Sequence, residues 1–500
     1  MNRNSLTTAV IAGIAGVAGI ANMASAVNLN PDGLGQVLLY PYYTVNGGQQ
    51  TLLSVVNTAA VGKAVKVRFL EGYNSREVLD FNLFLSPFDV WTADVFALSD
   101  LSSGLGTGAG ITTSDNSCTA PVLKESTSGV TNYVAFRTFT FSGTNSDTGP
   151  TDASRTREGH FEMISMADIV TDSDLSVDTT HVNGVPPGCG TFANGAETPA
   201  ERDFEAGEAF VAPTSGLFGS AEVVNTSNGT YYSYNADALD GFTAVALATP
   251  TSSLTPSLGQ VNPPTSYVFD DGILVTSSWT TTSEAIDAVS SVFMASNVYN
   301  EYAASAAGNG TDWVLTFPTK RFYVDSSITL TSSPILPFEE EFGANEDGLS
   351  CTVVGIVNYD REENTLAATG CGFSPCPPGQ PPSSICHETN VITFNANSTT
   401  NSVLSSTLTS NIVPIGSAGW AALNLNPNPG VSPDDIFNVV GGPHNLRLAT
   451  NGNEFHGLPV TGFQATNFVV GGSTSILANY SSVNRHRISR SCTNAGGGCS

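Results

Sequence analysis

The chain of 500 residues is long enough for several domains or for one elaborate β-sandwich. Only 12% of its residues are charged while 40% are hydrophobic, which permits a large core and excludes coiled coils, collagen and long helical arrays. The net charge is −27, from 17 Lys and Arg against 44 Asp and Glu. Because nucleic acids and anionic lipids are bound mainly through Lys and Arg, this charge excludes them as partners.

The first 26 residues have the pattern of a secretory signal peptide. Arg3 precedes an uninterrupted apolar run at 9–20, and Ala24-Ser25-Ala26 matches an A-x-A cleavage site. The run is shorter than the roughly 20 apolar residues that span a membrane. We therefore predict cleavage after Ala26 and a mature chain without a transmembrane segment, secreted or held at the cell surface.

The cysteine count agrees with export. An even number of cysteines in an exported chain predicts up to four disulfides. The eight cysteines are Cys118, Cys189, Cys351, Cys371, Cys376, Cys386, Cys492 and Cys499. The preferred pairs are Cys118–Cys189, Cys351–Cys371, Cys376–Cys386 and Cys492–Cys499. A zinc site around Cys371, Cys376 and His387 is the alternative, but tight C-x2-C pairs are missing.

Short alternations of apolar and polar residues predict a mainly β fold. In residues 64–70, Val, Val and Phe alternate with Lys66 and Arg68, the pattern of a half-buried strand whose charges protect an edge. Residues 35–45 form another strand, in which Pro41 indicates an edge position. The spacing of these strands predicts an immunoglobulin-like β-sandwich with long loops. Further predicted strands include 51–57, 77–85, 90–97, 132–141, 158–169, 221–225, 230–235, 353–358, 390–395, 402–408, 419–425 and 460–465.

One helical insertion is predicted near 283–304. Thr281 and Glu284 have the spacing of a capping box, and apolar residues from Ala285 to Ala303 follow on one helix face. A β-hairpin formed by 313–317 and 321–324 is expected after it. The predicted division is a signal peptide at 1–26, an N-terminal β-sandwich region with long loops at 27–270, the helix and hairpin insertion at 271–345, and a C-terminal β-rich region with a Cys-rich loop at 346–500.

Catalytic motifs are not found in the sequence. It contains no G-x-S-x-G, S-x-x-K, H-E-x-x-H or P-loop pattern, and its histidines are scattered. No catalytic residue is predicted, and an enzyme is the less favoured interpretation. A pair of distant carboxylates for glycoside hydrolysis stays open.

Two tyrosine clusters suggest either core packing or stacking on sugar rings. Packing is the favoured interpretation, because tyrosines that alternate along strands are common inside sandwiches. The clusters are Tyr40, Tyr42 and Tyr43, and Tyr231, Tyr232 and Tyr234.

Acidic clusters suggest structural calcium, the one cofactor for which the sequence offers candidates. Asp172, Asp174 and Asp178 form one cluster, and residues 339–341 with Glu346 and Asp347 form another. Neither cluster has the spacing of an EF-hand, and a solvated acidic loop is the alternative for each.

Several phrases, in order across most of the mature chain, resemble a group of known proteins. They are LLYPYYTV (38–45), TLLSVVN (51–57), REGHFEMISMADI (157–169), VYNEY (298–302), GTDWVLTFPTKRFYVD (310–325), GLPVTGFQATNF (457–468) and ANYSSVNRHR (478–487). They are similar to phrases of uncharacterised exported, β-rich cell-surface proteins of Gram-negative bacteria that are surface-layer-like. The resemblance implies location and a β-rich build and implies no catalytic chemistry.

Three functions follow as hypotheses, of which the last is a secreted hydrolase with an unrecognised site. The first is an exported cell-surface or extracellular-matrix structural protein, a surface-layer-like subunit whose partners are its own copies or other surface components. In this hypothesis the weakly charged strand 402–408 pairs with a neighbour, and calcium relieves the repulsion between acidic copies. The alternative is a carbohydrate-binding or carbohydrate-active secreted protein with glycans as its partners.

Overall fold

A computed structural model describes residues 26–123, 126–128, 131–189, 209–249, 253, 255–270, 272–280, 284–304, 309–328, 336–342, 348–365, 384–396, 402–428, 438–470, 478–495 and 497–499. The predicted mainly β fold is confirmed. Residues 1–25 of the predicted signal peptide, together with Cys371 and Cys376, lie outside the described residues.

The elements are numbered in chain order. Up to residue 240 the strands are β1 Asn28–Leu29, β2 Val37–Thr44, β3 Gln50–Asn57, β4 Lys63–Glu71, β5 Glu77–Leu85, β6 Val90–Ala97, β7 Ala109–Thr112, β8 Cys118–Ala120, β9 Ser126–Ser128, β10 Thr131–Ala135, β11 Glu158–Ile169, β12 Phe210–Val211, β13 Leu217–Asn225, β14 Thr230–Asn235 and β15 Asp237–Asp240. The α-helices of the described part are α1 Leu98–Leu101, α2 Asp174–Thr179, α3 Ala285–Phe293 and α4 Arg321–Val324.

The remaining strands follow after residue 260. They are β16 Thr265–Asp270, β17 Ile273–Ser278, β18 Met294–Ala295, β19 Asn297–Ala303, β20 Gly310–Thr316, β21 Thr352–Val353, β22 Gly355–Asp360, β23 Ser384–Ile385, β24 Thr389–Phe394, β25 Thr409–Ile412, β26 Ala418–Asn424, β27 Glu454–His456, β28 Leu458–Pro459, β29 Thr461–Val470, β30 Ala478–Arg485, β31 Arg487–Ser489, β32 Ser491–Asn494 and β33 Gly497–Gly498.

Four large sheets organise these strands. Sheet A has the order β1-β15-β2-β11-β4-β5-β8, with β12 also paired to β11, and sheet B has the order β14-β13-β3-β6-β7-β10-β9. Sheet C has the order β22-β26-β19-β31, and sheet D has the order β25-β24-β20-β29-β30. Almost all pairs are antiparallel, while β24 and β25 are parallel.

Sheets A and B pack face to face over one apolar core. Val65, Val67 and Phe69 of β4 meet Leu53 of β3 and Trp91 of β6 in this core. The alternation in β4 therefore turns these three side chains toward sheet B and Lys66 and Arg68 toward the opposite face of sheet A.

A second core joins sheets C and D and extends to sheet A. Trp313 and Leu315 of β20 pack in it with Leu423 of β26, and Val37 of β2 belongs to the same cluster. The helix α3 is buried along its whole length in this core. Strand β2 consequently has apolar neighbours on both faces, and all eight of its residues are buried.

Pro41 lies in a central strand, so the prediction of an edge position is wrong. Strand β2 lies between β15 and β11. Its register with β11 shifts between Gly159 and Phe161, beside Tyr40 and Tyr43, and this irregularity accommodates a residue without an N–H group. The Pro41 carbonyl accepts a hydrogen bond from Thr316 Oγ1 at 2.6 Å, which joins sheet A to sheet D.

The helical insertion is shorter than predicted. α3 ends at Phe293, and residues from Asn297 to Ala303 form β19. There they pair with Ala418–Asn424, and the long-range strand pairing overrides the local helical pattern. The predicted hairpin is also wrong, since 321–324 is the short helix α4, whose Tyr323 hydroxyl donates to Asp287 of α3 at 2.6 Å.

Two further predicted strands need correction. The strand predicted at 132–141 ends at Ala135 and is followed by a 3-10 turn at Phe139–Phe141. The strand predicted at 402–408 is a turn and loop, because its polar groups are bound to carboxylates. Ser402 Oγ donates to Asp312 at 2.5 Å, and Thr407 N donates to Glu158 at 2.9 Å. This segment is therefore not available as an edge for a neighbouring molecule.

Three disulfides lie in the described part of the chain. Two have the predicted partners, Cys118–Cys189 and Cys492–Cys499. The third joins Cys351 to Cys386, so the predicted partners of these two cysteines are wrong. Strands β21 and β23 pair Thr352 with Ile385, which places the adjacent cysteines side by side across 35 positions of sequence. The prediction favoured short loops, whereas this long-range strand pair determines the partner.

Candidate functional site

The tyrosine clusters are mostly core residues. Tyr40, Tyr42 and Tyr43 are fully buried between sheets, and Tyr232 and Tyr234 are buried as well. The Tyr42 hydroxyl donates to Glu158 at 2.8 Å. Only Tyr231, the sixth member, is exposed. The packing interpretation therefore explains five of these tyrosines, and they form no platform for a sugar.

The structure does not gather the predicted calcium ligands. Asp174 and Asp178 lie on helix α2, and Asp172 precedes it. Among the residues that the structure describes, no group of three His, Cys, Asp or Glu side chains is placed to hold a metal ion. In the second cluster, Glu339 bonds His444 at 2.7 Å and Glu340 accepts from Cys351 N at 2.6 Å. Glu346 and Asp347 lie outside the described residues.

The outer face of sheet A carries a layer of buried ion pairs. Lys66 is fully buried, forms an ion pair with Asp80 and donates to Ser253 O at 2.8 Å. Arg68 binds Glu77 at 2.8 Å and Glu162 at 2.7 Å. The prediction that Lys66 and Arg68 protect an edge strand is wrong, because β4 is central and other segments cover its charged face.

Another buried ion-pair network surrounds Arg155. Its guanidinium binds Glu71 at 3.0 and 3.1 Å and Asp147 at 2.9 and 2.6 Å. The same group lies over the rings of Tyr73 and Phe141, 4.9 and 4.4 Å from their centroids. Bidentate pairs of this kind are strong and geometrically specific. The network ties β4 to the loop that precedes β11.

Burial perturbs two opposite charges at the junction of sheets A and D. Lys320 Nζ donates to the carbonyls of Ser350, Cys386 and His387 at 2.5, 3.1 and 3.3 Å, and burial lowers its pKa to about 8. Burial also raises the pKa of Glu388 to about 8, against the opposing effect of Lys320. Such groups occur at functional sites and in structural networks alike. Backbone carbonyls surround Lys320, which favours a structural role for this group.

An open cleft of about 500 Å³ lies where sheets C and D meet, and we call it the aromatic cleft. Trp420 of β26 forms one wall, and its ring is 40% exposed. Tyr359 of β22 stacks on the indole at a centroid distance of 4.8 Å and holds it in place. Phe468 of β29 lies on the opposite side of the cleft and is also exposed.

Neighbouring groups approach the backbone closely at Gly419, next to Trp420. A side chain at Gly419 would lie 1.8 Å from the Tyr359 carbonyl oxygen and 2.6 Å from the Tyr302 hydroxyl. The missing side chain lets the Tyr302 hydroxyl donate to the carbonyls of Tyr359 and Ile415 at 3.1 and 2.7 Å. The aromatic wall is therefore rigid before any ligand arrives.

Polar side chains line the sheet D side of the aromatic cleft. Asn484 Nδ2 donates to Gln464 Oε1 at 2.8 Å, and Gln464 Nε2 donates to Thr466 Oγ1. The Thr466 hydroxyl also bonds Thr311 Oγ1 at 3.0 Å. This chain orients the amides and hydroxyls at the bottom of the cleft, with Ser482 beside them.

The two carboxylates of the aromatic cleft differ in the bonds that they form. Asp360 accepts bonds from Glu362 N and from the backbone and side chain of Asn364, and these bonds, the Asn364 side chain first, lower its pKa. Glu301 is exposed at the cleft, and its carboxylate forms no ion pair with any described residue. Glycoside hydrolysis usually employs two carboxylates, whereas this cleft offers one that is free. The arrangement is suited to binding.

Sequence reasoning missed the aromatic cleft. The one signal was Trp420 itself, a single large ring in the small-residue strand Ala418–Asn424. Comparison of the chain with protein-family models, curated proteins and solved structures finds no match. None of the helices in the described residues has the length and apolar character needed to cross a membrane.

Proposed function

We propose that this is an exported protein of the cell surface or extracellular medium that binds polysaccharide in the aromatic cleft. The observation that carries the proposal is the exposed Trp420 ring facing a polar wall of oriented amides and hydroxyls. A sugar ring has an apolar face and a rim of hydroxyl groups, which match these two walls. Three disulfides support the exported location, since disulfides persist in oxidising compartments. The signal peptide and an immunoglobulin-like relationship of the strands belong to the same proposal.

Tryptophan fluorescence tests the proposal directly. The chain has four tryptophans, and Trp91, Trp279 and Trp313 are at most 3% exposed. Acrylamide should therefore quench mainly Trp420. We expect a bound polysaccharide from a panel of xylan, mannan, β-glucan and arabinogalactan to protect Trp420 from quenching. In affinity electrophoresis with the same polysaccharide, Trp420→Ala should lose roughly tenfold or more in affinity.

Phe269→Ala is the matched control, because Phe269 is an exposed aromatic residue on the separate hairpin of β16 and β17. This variant should bind as the unmodified protein does. If no polysaccharide protects Trp420, or if Trp420→Ala binds normally, the proposal fails.

The second candidate is the surface-layer-like structural subunit, which associates with its own copies. Exposed apolar side chains on the end strands of the sheets favour it: Tyr231 on β14, Tyr480 on β30 and Ile488 on β31. Strands β14 and β30 contact each other through Ser481 Oγ and the backbone of Tyr231, so association would use the exposed side chains rather than open strand edges. Tyr480 is 63% exposed and is the most open of the three.

Light scattering tests this candidate. We expect millimolar calcium to convert the protein into ordered oligomers and a chelator to disperse them, because the net charge of −27 opposes close packing of copies. Tyr480→Lys should prevent the conversion, whereas Phe269→Lys should permit it. A protein that stays monomeric at high concentration in calcium would argue against the structural role and leave glycan binding as the proposal.

A further inference from the structure

A second cavity, of about 600 Å³, opens beside the charged face of sheet A. Three guanidinium groups line it, those of Arg68, Arg76 and Arg321, and we call it the arginine cavity. In a chain of net charge −27, most of the surface repels anions. The arginine cavity, where three arginines come together, is a local exception to this repulsion.

Two carboxylates already bind the guanidinium group of Arg68. Glu77 binds its Nε at 2.8 Å, and Glu162 binds one terminal nitrogen at 2.7 Å. These carboxylates hold the Arg68 side chain in place and neutralise it. Its position in the wall is therefore accounted for by the ion-pair layer of sheet A.

Arg76 and Arg321 are less well satisfied. Arg76 forms ion pairs with Asp147 through Nε at 3.5 Å and with Asp325 through Nη1 at 3.3 Å, and the Nε contact lacks hydrogen-bond geometry. Arg321 donates one bond, to Ser75 O at 3.0 Å, and its buried Nε has no acceptor either. No carboxylate in the described part of the chain forms an ion pair with Arg321. An anion bound in the cavity would give Arg321 the counter-charge that it lacks, through the terminal nitrogens of its guanidinium group.

The other residues that line the arginine cavity provide both apolar surface and polar groups. Phe322 and the 74% exposed Phe139 supply apolar surface. Hydroxyl and amide groups surround them, from Thr140, Asn145, Ser146, Ser257 and Ser327. The volume lies within the range of sites for small molecules. A ring with several hydroxyl groups and one carboxylate would match all of these features.

We propose that the arginine cavity binds the carboxylate of an acidic sugar, a uronic acid unit, with Arg321 and Arg76 as the groups that bind the anion. Arginine favours this ligand because its planar fork donates two parallel bonds to a carboxylate. The site is separate from the aromatic cleft and does not depend on glycan binding there.

Isothermal titration calorimetry with D-galacturonate, and with D-galactose as the neutral analogue, tests the proposal. Galacturonate should bind to one site, with an affinity that falls as salt is added, and galactose should give no heat. Arg321→Gln should weaken galacturonate binding roughly tenfold or more, since it removes charged donors. Trp420→Ala should leave it unchanged, which separates this site from the polysaccharide site.

Two further variants keep the test decisive if Arg321→Gln folds poorly. Ser146 lies exposed at the cavity rim, and Ser146→Trp should block entry and abolish binding without disturbing the buried arginines. Arg487→Gln removes the same charge from an exposed position on β31 and should bind normally. Equal heat with galactose, no heat with galacturonate, or unchanged binding by both Arg321→Gln and Ser146→Trp would each overturn the proposal.

Discussion

Replacing Arg155 by methionine should lower the free energy of unfolding by roughly 3–5 kcal/mol. The reason is the burial of its partners: the side chain of Glu71 is 0% exposed and that of Asp147 is 3% exposed. Without the guanidinium, two carboxylates would remain buried without their main counter-charge. Arg155→Lys should recover only part of the loss, because an ammonium group cannot bind both carboxylates in bidentate fashion.

Urea denaturation followed by circular dichroism measures this change. Arg487→Met is the control, because Arg487 is exposed and its replacement should change stability by no more than about 0.5 kcal/mol. A loss below about 1 kcal/mol for Arg155→Met would show that the network contributes little to the fold.

Raising the pH from 5 to 8 should lower the stability of the unmodified protein relative to that of the Glu388→Gln variant. Burial raises the pKa of Glu388 to about 8 in the folded chain, from an ordinary value of 4.5. Between these values the folded protein keeps a proton that the unfolded chain releases. The resulting stabilisation is complete below about pH 4.5 and is lost as the pH rises to about 8. A shift of this size corresponds to a difference of about 5 kcal/mol.

Other buried groups also titrate in this range. Burial lowers the pKa of His160 to about 3 and that of His486 to about 4, so their contribution to stability rises with pH up to about 6.5 in both proteins. Burial raises the pKa values of Asp287 and Asp312 to about 6, and this effect is present in both proteins. Burial lowers the pKa of Lys320 to about 8, and the charge of Glu388 opposes that lowering. Glu388→Gln therefore lowers the pKa of Lys320 further, so the stability of this variant gains from a rise in pH within the same range.

The thermal unfolding midpoint at pH 5, 6, 7 and 8 measures the effect of Glu388. Glu362→Gln, at an exposed position with the same change in formal charge, should parallel the unmodified protein at every pH. A constant difference between Glu388→Gln and the unmodified protein over this range would contradict the assignment.

Local patterns predicted the parts of the fold that depend on neighbours in sequence. The strand predicted at 158–169 has the observed bounds, Glu158–Ile169. The pair Cys492–Cys499 followed from a short Gly-rich loop. In 64–70 the alternation correctly assigned two faces. It could not show that loops far along the chain would cover the charged face, and Lys66 and Arg68 were therefore placed at the surface.

The candidate sites depend on residues that only the fold brings together. Trp420, Glu301 and Asn484 meet in the aromatic cleft from three different strands, and Tyr359 of a fourth strand stacks on Trp420. Arg68, Arg76 and Arg321 come from two regions that are more than two hundred positions apart. No spacing rule relates such residues, because sheet order and the packing of sheets determine their proximity.

The burial of basic side chains also determines where a trypsin-like protease can cut. Such enzymes need an accessible Lys or Arg in a segment that can enter their active site. Lys63, Lys66, Arg68, Arg155 and Lys320 are buried, and Arg485 and Arg487 lie in paired strands. In the described part of the chain, the exposed cations outside strands are Arg137 and Arg361. The described part of the folded chain therefore presents few scissile bonds to such proteases.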